Sequence, residues 1–595
     1  MATDNGGRPN RLEGQASPYL RAHAHDPVDW RPWSARAFDD ARAAGKPIFL
    51  SSGYQSCHWC HVMQRESFRD HETAGVLNDA TVPVKVDREI RPDVDALYLS
   101  YLAASTGSGG WPMSVFLTPD GAPLFGGTYF PPRSTDPRMV SFRDVIETVR
   151  RSWVLSREHT LEIGADALEF LSGQQHSARG PIDRELLDDV VTALLGAVDR
   201  ENGGFGSAPK FPQAPLIGFL IAYHRLTGDT ASFETARNTV LAMVRGGTYD
   251  QVGGGLFRYS TDAIWLVPHF EKMLYDNALL LSSLADLHQI EPSEEYVHLA
   301  LQTAGFIGNG LARPQGGYFS SLDAETAGVE GGTYVWSPEQ LVEALTPQEI
   351  ALAEEYLGAD ADSIQEDGTV IITRRHGRGV DTATDRRIDA LLEKLLAVRD
   401  ERDQPAVVEN VLTSWNALAA RGLIEAGATM GEAALLERGL TSVEWLLDEV
   451  VWRADVLHAV GDPSVAKVRF LEDYTDVVAA LLSAIECGGK EGLLKTATRL
   501  QAAAIKRFAG DQGFRMSAGD PALPLVPLRS DDSPTPGGAA TLAENALRLA
   551  TLTGDDTHLE IADRALLQYG RTARAVPHMG GHALKVAAMR EARAR

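Results

Sequence analysis

The tetrapeptide Cys57-His58-Trp59-Cys60 follows directly on the apolar run Pro47-Ile48-Phe49-Leu50 and its extension Ser51-Ser52-Gly53-Tyr54. Two cysteines three apart, opening a helix just past a buried strand, are what a dithiol/disulfide centre needs. The helix N-terminus lowers the pKa of the first thiol, and the second lies within reach to resolve a mixed disulfide. Cys57 is therefore expected as an exposed nucleophile and Cys60 as the buried resolving thiol. Other readings of the pair are a zinc site through Cys57, Cys60 and His61, which lacks a second ligand pair, and a C-x-x-C-H haem attachment, which leaves the flanking strands unexplained. A residual dithiol without a role is the last. No cofactor and no metal is expected.

The surrounding pattern fixes a fold. Ser34 to Ala44 has helical spacing with Ser34 as N-cap. Strands are predicted at 47–51 and 82–87, and helices at about 57–69, 71–79 and 92–104. Two short strands follow at 113–117 and 124–126 around the turn Thr118-Pro119-Asp120-Gly121. A long helix at about 141–171 ends the unit. This βαβ-then-ββα order, with the cysteines on the first βα junction, matches a thioredoxin fold. Pro112, after Trp111 and before the strand at 113, is the expected cis-proline. Asp87, at the end of the second strand, is a candidate to tune the dithiol or to cap the strand.

The polar, turn-rich stretch 172–181 reads as a linker. Beyond Asp183, long amphipathic helices alternate with turns of one type: Gly203-Gly204-Phe205, Gly254-Gly255-Leu256-Phe257 and Gly316-Gly317-Tyr318. Helical hairpins closed by similar loops follow from that repeat. Some 400 residues over twelve helices gives about 34 each, as an (α/α)6 toroid requires. The expected architecture is an α/β thioredoxin-like domain over 1–175 followed by an all-α (α/α)6 toroid over 183–595.

The net charge of −25 argues against binding nucleic acid or an anionic membrane. With three cysteines there is no disulfide framework. The residues Met1 to Asn10 are polar, without the apolar core of a signal peptide, and no apolar run approaches a membrane span. A cytoplasmic location is expected, where a Cys-x-x-Cys is more often catalytic or metal-binding than structural.

Longer motifs extend this reading. Asn10-Arg11-Leu12, Ser17-Pro18-Tyr19-Leu20, His25-Asp26-Pro27-Val28-Asp29-Trp30, Gly110-Trp111-Pro112-Met113, Ala208-Pro209-Lys210-Phe211-Pro212 and Pro268-His269-Phe270-Glu271-Lys272-Met273-Leu274-Tyr275-Asp276-Asn277 accompany the Cys-His-Trp-Cys motif. Together they resemble the YyaL family, whose animal members are the spermatogenesis-associated thioredoxin-like proteins. The resemblance implies a thioredoxin-like domain joined to an (α/α)6 domain similar to sugar 2-epimerases and six-hairpin glycosidases. The chain departs from the family pattern at Val408-Glu409-Asn410 and at Pro534-Thr535-Pro536-Gly537-Gly538.

In the second half, Asp250, Arg258, Tyr259, Trp265, His269 and Glu271 are dense in charge, glycine and aromatic rings. That composition suits a sugar site, where rings stack on apolar sugar faces while carboxylates and arginine hold hydroxyls. His269 is a candidate acid or base with Glu271 as its partner. Asp323, Glu325 and Glu330 are candidate carboxylates for the same cavity, two of which at suitable separation would permit glycoside hydrolysis. Trp336, Trp415, Asn416, Asp473 and Tyr474 are further cavity candidates that could instead close hairpins. Three functions compete: a thiol–disulfide oxidoreductase with a protein client, a carbohydrate-active enzyme with a sugar ligand, and a non-catalytic scaffold.

Overall fold

The structure is a computed structural model describing residues 9–133, 140–177, 179–379, 381–488, 492–532 and 534–594. It divides into two units. One holds the chain up to Ser177 with Leu457–Phe470 and Gly510–Arg529; the other holds Ala178–Val456, Leu471–Ala509 and Ser530–Arg595.

A five-stranded sheet organises the first unit: β1 (Arg31–Pro32), β2 (Ile48–Gly53), β3 (Val82–Asp87), β4 (Met113–Leu117) and β5 (Pro123–Gly127), in the order β1-β3-β2-β4-β5. β1, β3 and β2 run parallel, while β4 and β5 are antiparallel. Alternation at period two divides the faces. Ile48, Leu50, Val84, Val86 and Val115 point into an aliphatic core with Phe38, Val94 and Leu97. Phe49 points the other way, into an aromatic layer with Phe116, Phe142, Phe68 and Trp30.

The predicted helix at 141–171 is two helices, Phe142–Leu155 and Arg157–Ser177, separated at Ser156. The expected linker is helical as far as Ser177; its residue 178 lies outside the described residues.

The sequential division at 175–183 does not hold. Two later segments return to the first unit because their side chains complete it. Leu523 joins the aliphatic core. Asp520 accepts from Trp33 Nε1 at 2.9 Å and pairs with Arg91 at 2.5 Å. Ser517 Oγ donates to Asp93 at 2.8 Å. Arg469–Phe470 pairs antiparallel with Ser517–Ala518.

The second unit is an (α/α)6 toroid. Six inner helices pack in a closed ring: Ala214–Thr227, Leu274–Ile290, Thr413–Met430, Leu471–Glu486, Gly538–Thr553 and Gly581–Arg593, the last returning to the first. Outer helices Thr230–Arg245, Glu294–Phe306, Ala433–Glu449, Gly492–Phe508 and Thr557–Leu566 each lie on an inner one, and Arg184–Gly196 lies beside Gly581–Arg593. Inner helices are buried nearly all round, as Leu471–Glu486 shows with thirteen buried residues, because both flanks and the outer face are covered. Close approach requires glycine at Gly439, where a Cβ would lie 2.6 Å from Ile424 Cγ1 on the facing helix.

Two of the three recurring Gly-Gly turns are held by asparagines one turn into the inner helices. Asn277 accepts from Leu256 N at 2.7 Å and donates to Leu256 O at 3.1 Å. Asn416 does the same to Tyr318, at 2.7 and 3.0 Å.

Candidate functional site

In the first unit β2 delivers the chain to Cys57, whose extended backbone makes it the N-cap of helix His58–Met63. Its sulfur accepts from Cys60 N at 3.2 Å, and the two cysteines are disulfide-bonded with Cα atoms 5.3 Å apart. Cys57 is 3% and Cys60 2% exposed. This corrects the expectation of an exposed Cys57: the exposed residue of the motif is Trp59, at 48%, its ring 5.5 Å from Tyr129. Trp111–Pro112 is cis. Trp111 Nε1 donates to Asp95 at 2.9 Å, and the Arg88 guanidinium lies 3.8 Å over its ring.

Beneath the dithiol lies a buried polar group of which sequence reasoning had proposed only Asp87. Gly53, the last residue of β2, has no side chain. A Cβ there would meet Tyr19 Oη and, at 2.7 Å, Cys60 Sγ. Opposite Gly53 in the sheet stands Asp87, which accepts from Ser17 Oγ at 2.6 Å and Glu89 N at 2.9 Å. Asp87 thus caps the strand end and faces the Gly53 position. Lys85 Nζ donates to Ser51 Oγ at 3.1 Å and lies 4.4–5.0 Å from the ring centres of Phe68, Trp30 and Tyr19. Burial pulls its pKa down to about 7 against the opposing charge of Asp26. His23, 2.5 Å from Asp26, falls to about 4 through burial and the Lys85 charge, which outweigh Asp26. Of this group the sequence had singled out Asp87, while Tyr19 and Asp26 stood in the motifs Ser17-Pro18-Tyr19-Leu20 and His25-Asp26-Pro27-Val28-Asp29-Trp30.

In the second unit the N-terminal ends of the inner helices collect several predicted residues. Tyr259 and His269 are adjacent on paired strands, ring centres 5.0 Å apart, and Phe211 lies 4.8 Å beyond Tyr259. His269 sits between two carboxylates: Nε2 is 3.0 Å from Glu271, and Nδ1 contacts Glu330. Glu325 stands opposite Glu330 in its hairpin. Burial disfavours charge on His269, but Glu271 and Glu330 outweigh it and lift its pKa to about 10. The two carboxylates thereby favour the charged imidazole, the form that suits the acid half of the acid-or-base role expected of His269. Arg258 pairs with Asp276 at 3.1 Å and lies over Tyr275, whose ring is 4.6 Å from Trp415. Next to Trp415, Ser414 N donates to Asp473 at 3.2 Å.

Other candidates have partners within the fold. Asp250 is buried in ion pairs with Lys272 at 2.6 Å and Arg399 at 2.8 Å. Trp265 is buried, donating to Gly203 O at 3.2 Å. Trp336 lies in an aliphatic cluster beneath Arg402. Tyr474 Oη donates to Asp455 at 2.8 Å, and Asn416 closes its turn as described. Asp323 accepts from Glu325 N at 3.0 Å within the loop entering the 325–330 hairpin. Among the described residues no cluster of three or more His, Cys, Asp or Glu could hold a metal ion, and no helix is long and apolar enough to cross a membrane.

Fold and site together define a Cys-x-x-Cys thioredoxin-like domain joined to an (α/α)6 toroid. The family model Thioredox_DsbH ("Protein of unknown function, DUF255") matches residues 9–172. Spermatogenesis-associated protein 20 of Homo sapiens is 35% identical over 630 residues, spanning 96% of this chain and 79% of the relative. An uncharacterized Caenorhabditis elegans protein is 33% identical, spanning 96% and 84%. The chain belongs to the family of spermatogenesis-associated protein 20. Among solved structures, cellobiose 2-epimerase from Spirochaeta thermophila DSM 6192 aligns with TM-score 0.44 at 13% identity, over 69% of this chain and 97% of that one. A family 76 glycoside hydrolase of Bacteroides thetaiotaomicron aligns with TM-score 0.44 at 10% identity, over 69% and 97%.

Proposed function

We propose that the first unit is a thiol–disulfide redox module acting through Cys57 and Cys60. The observation that carries this is the placement of the Cys57 sulfur as the helix N-cap, 3.2 Å from Cys60 N. There a thiolate gains both the backbone N–H and the positive helix end. Both sulfurs are buried while Trp59 beside them is exposed. Equilibrating the full chain in dithiothreitol and glutathione redox buffers, with alkylation and mass spectrometry as readout, should show a two-electron couple at Cys57/Cys60 that Cys57→Ser abolishes. Sulfurs inert to reductant in the native protein, or exchange unchanged in Cys57→Ser, would overturn the reading.

A second reading rests on the toroid mouth. Phe211, 41% exposed, Tyr259 and the acidic residues around His269 suit a polyhydroxylated ligand. Binding only to the folded state raises the melting temperature. Mono- and disaccharides at millimolar concentration should therefore shift the Tm upward, and a panel without any shift retires this reading.

A further inference from the structure

The Tyr19 hydroxyl is buried, 2% exposed as a residue, and makes no hydrogen bond among the described residues. An unsatisfied buried hydroxyl costs about 1–3 kcal/mol, a cost that a state in which it finds an acceptor would recover. It and Cys60 Sγ converge on the space that Gly53 leaves open. We infer that Tyr19 donates a hydrogen bond to the Cys60 sulfur when the disulfide opens, and so positions and stabilises the leaving thiolate. The inference rests on the redox reading above.

The step balances with a dithiol as reductant. Its thiolate attacks Cys57 Sγ, forming a mixed disulfide and breaking the Cys57–Cys60 bond. The bonding pair leaves on Cys60 Sγ, which the Tyr19 O–H holds as the thiolate of the reduced state, and the reductant's second thiol gives its proton to solvent. That second thiolate then attacks its own sulfur in the mixed disulfide, releasing Cys57 thiolate and a cyclic disulfide. Two electrons pass from the reductant to the protein. Burial, with the charges of Asp87, Asp26 and Asp95, pushes the Tyr19 pKa well above its ordinary value, so the hydroxyl stays a donor throughout. Lys85, 5.0 Å from the centre of the Tyr19 ring, holds the ring face.

The test is Tyr19→Phe in the full chain, which keeps the ring and removes only the hydroxyl. The equilibrium with dithiothreitol should move roughly tenfold toward the disulfide, about 30 mV more negative. The Tm of the oxidised variant should not fall, because no hydrogen bond is lost in that state. An equilibrium within twofold of wild type overturns the inference while leaving the redox reading standing, and so does a lowered oxidised Tm without a change in equilibrium. A wild-type pair that does not exchange at all overturns both.

Discussion

Asp250→Ala is expected to lower stability by about 3–5 kcal/mol, the usual cost of removing one partner from a buried ion pair. Lys272 and Arg399 both end on this carboxylate and both are buried. The same oxygens accept from Val252 N and Gly253 N, each at 3.0 Å, so the carboxylate also shapes its glycine-rich turn. Burial alone would raise the Asp250 pKa, but the charges of Arg399 and Lys272 outweigh it and hold the group ionised, below the ordinary carboxylate range. Removing it leaves two cations without a counter-ion. Lys272 is already depressed to about 8 by burial, with Asp250 opposing that shift. In the variant it should release its proton near neutral pH, so the deficit shrinks as pH rises. Asp250→Asn keeps the acceptor for the turn and should lose less than alanine. Urea unfolding of the three proteins at pH 6.5 and 8.5 measures this. A loss below about 1 kcal/mol for alanine would mean that the ion pairs add little and that the carboxylate is free to serve a ligand.

Asp250 also shows where reading the sequence stops. A carboxylate in a glycine-rich loop looks the same whether it faces a ligand or two buried cations, and Arg399 lies 149 residues away in sequence. Trp265 and Trp336 are loop aromatics that pack inward onto a backbone carbonyl and an aliphatic cluster, and Tyr474, in helix Leu471–Glu486, bonds Asp455, as the hairpin-closing alternative for Trp336 and Tyr474 allowed. What was legible had a period or a spacing. β2, β3 and the Cys-x-x-Cys helix follow from alternation and motif, and the Gly-Gly turns announced the hairpins that Asn277 and Asn416 clamp. The two-residue strands Arg31–Pro32, Arg469–Phe470 and Ser517–Ala518 are too short for any periodicity. Their pairing is set by contacts such as Asp520 with Arg91, which no local pattern encodes. Burial of Cys57 was hidden likewise, because no local pattern encodes the exposure of a helix N-cap.

His269 should contribute stability that declines above neutral pH, against the opposite slope of the depressed Lys85 and Lys272. Its folded pKa of about 10 stands above the ordinary 6.5. The stabilising charge is therefore complete below about pH 6.5, erodes between pH 6.5 and 10, and is gone above that. Across the window the folded state holds one more proton than the unfolded, which gives a slope of up to about 1.4 kcal/mol lost per pH unit. Summed over the window this reaches several kcal/mol, since the imidazolium is buried between Glu271 and Glu330 and little screened by water. His269→Gln removes the titrating group and leaves the two carboxylates facing each other. It should be markedly less stable at pH 6.5 and should lack the downward slope between pH 7 and 10. Groups elsewhere, Lys85 among them, titrate in both proteins and cancel in the difference. Glu330→Gln, which keeps one carboxylate on Nε2, should show a smaller slope ending at lower pH. The measurement is the difference in unfolding free energy between wild type and each variant at half-unit pH steps. Parallel curves for wild type and His269→Gln would show that His269 is neutral in the folded protein at pH 7, and would return it to consideration as a base at the toroid mouth.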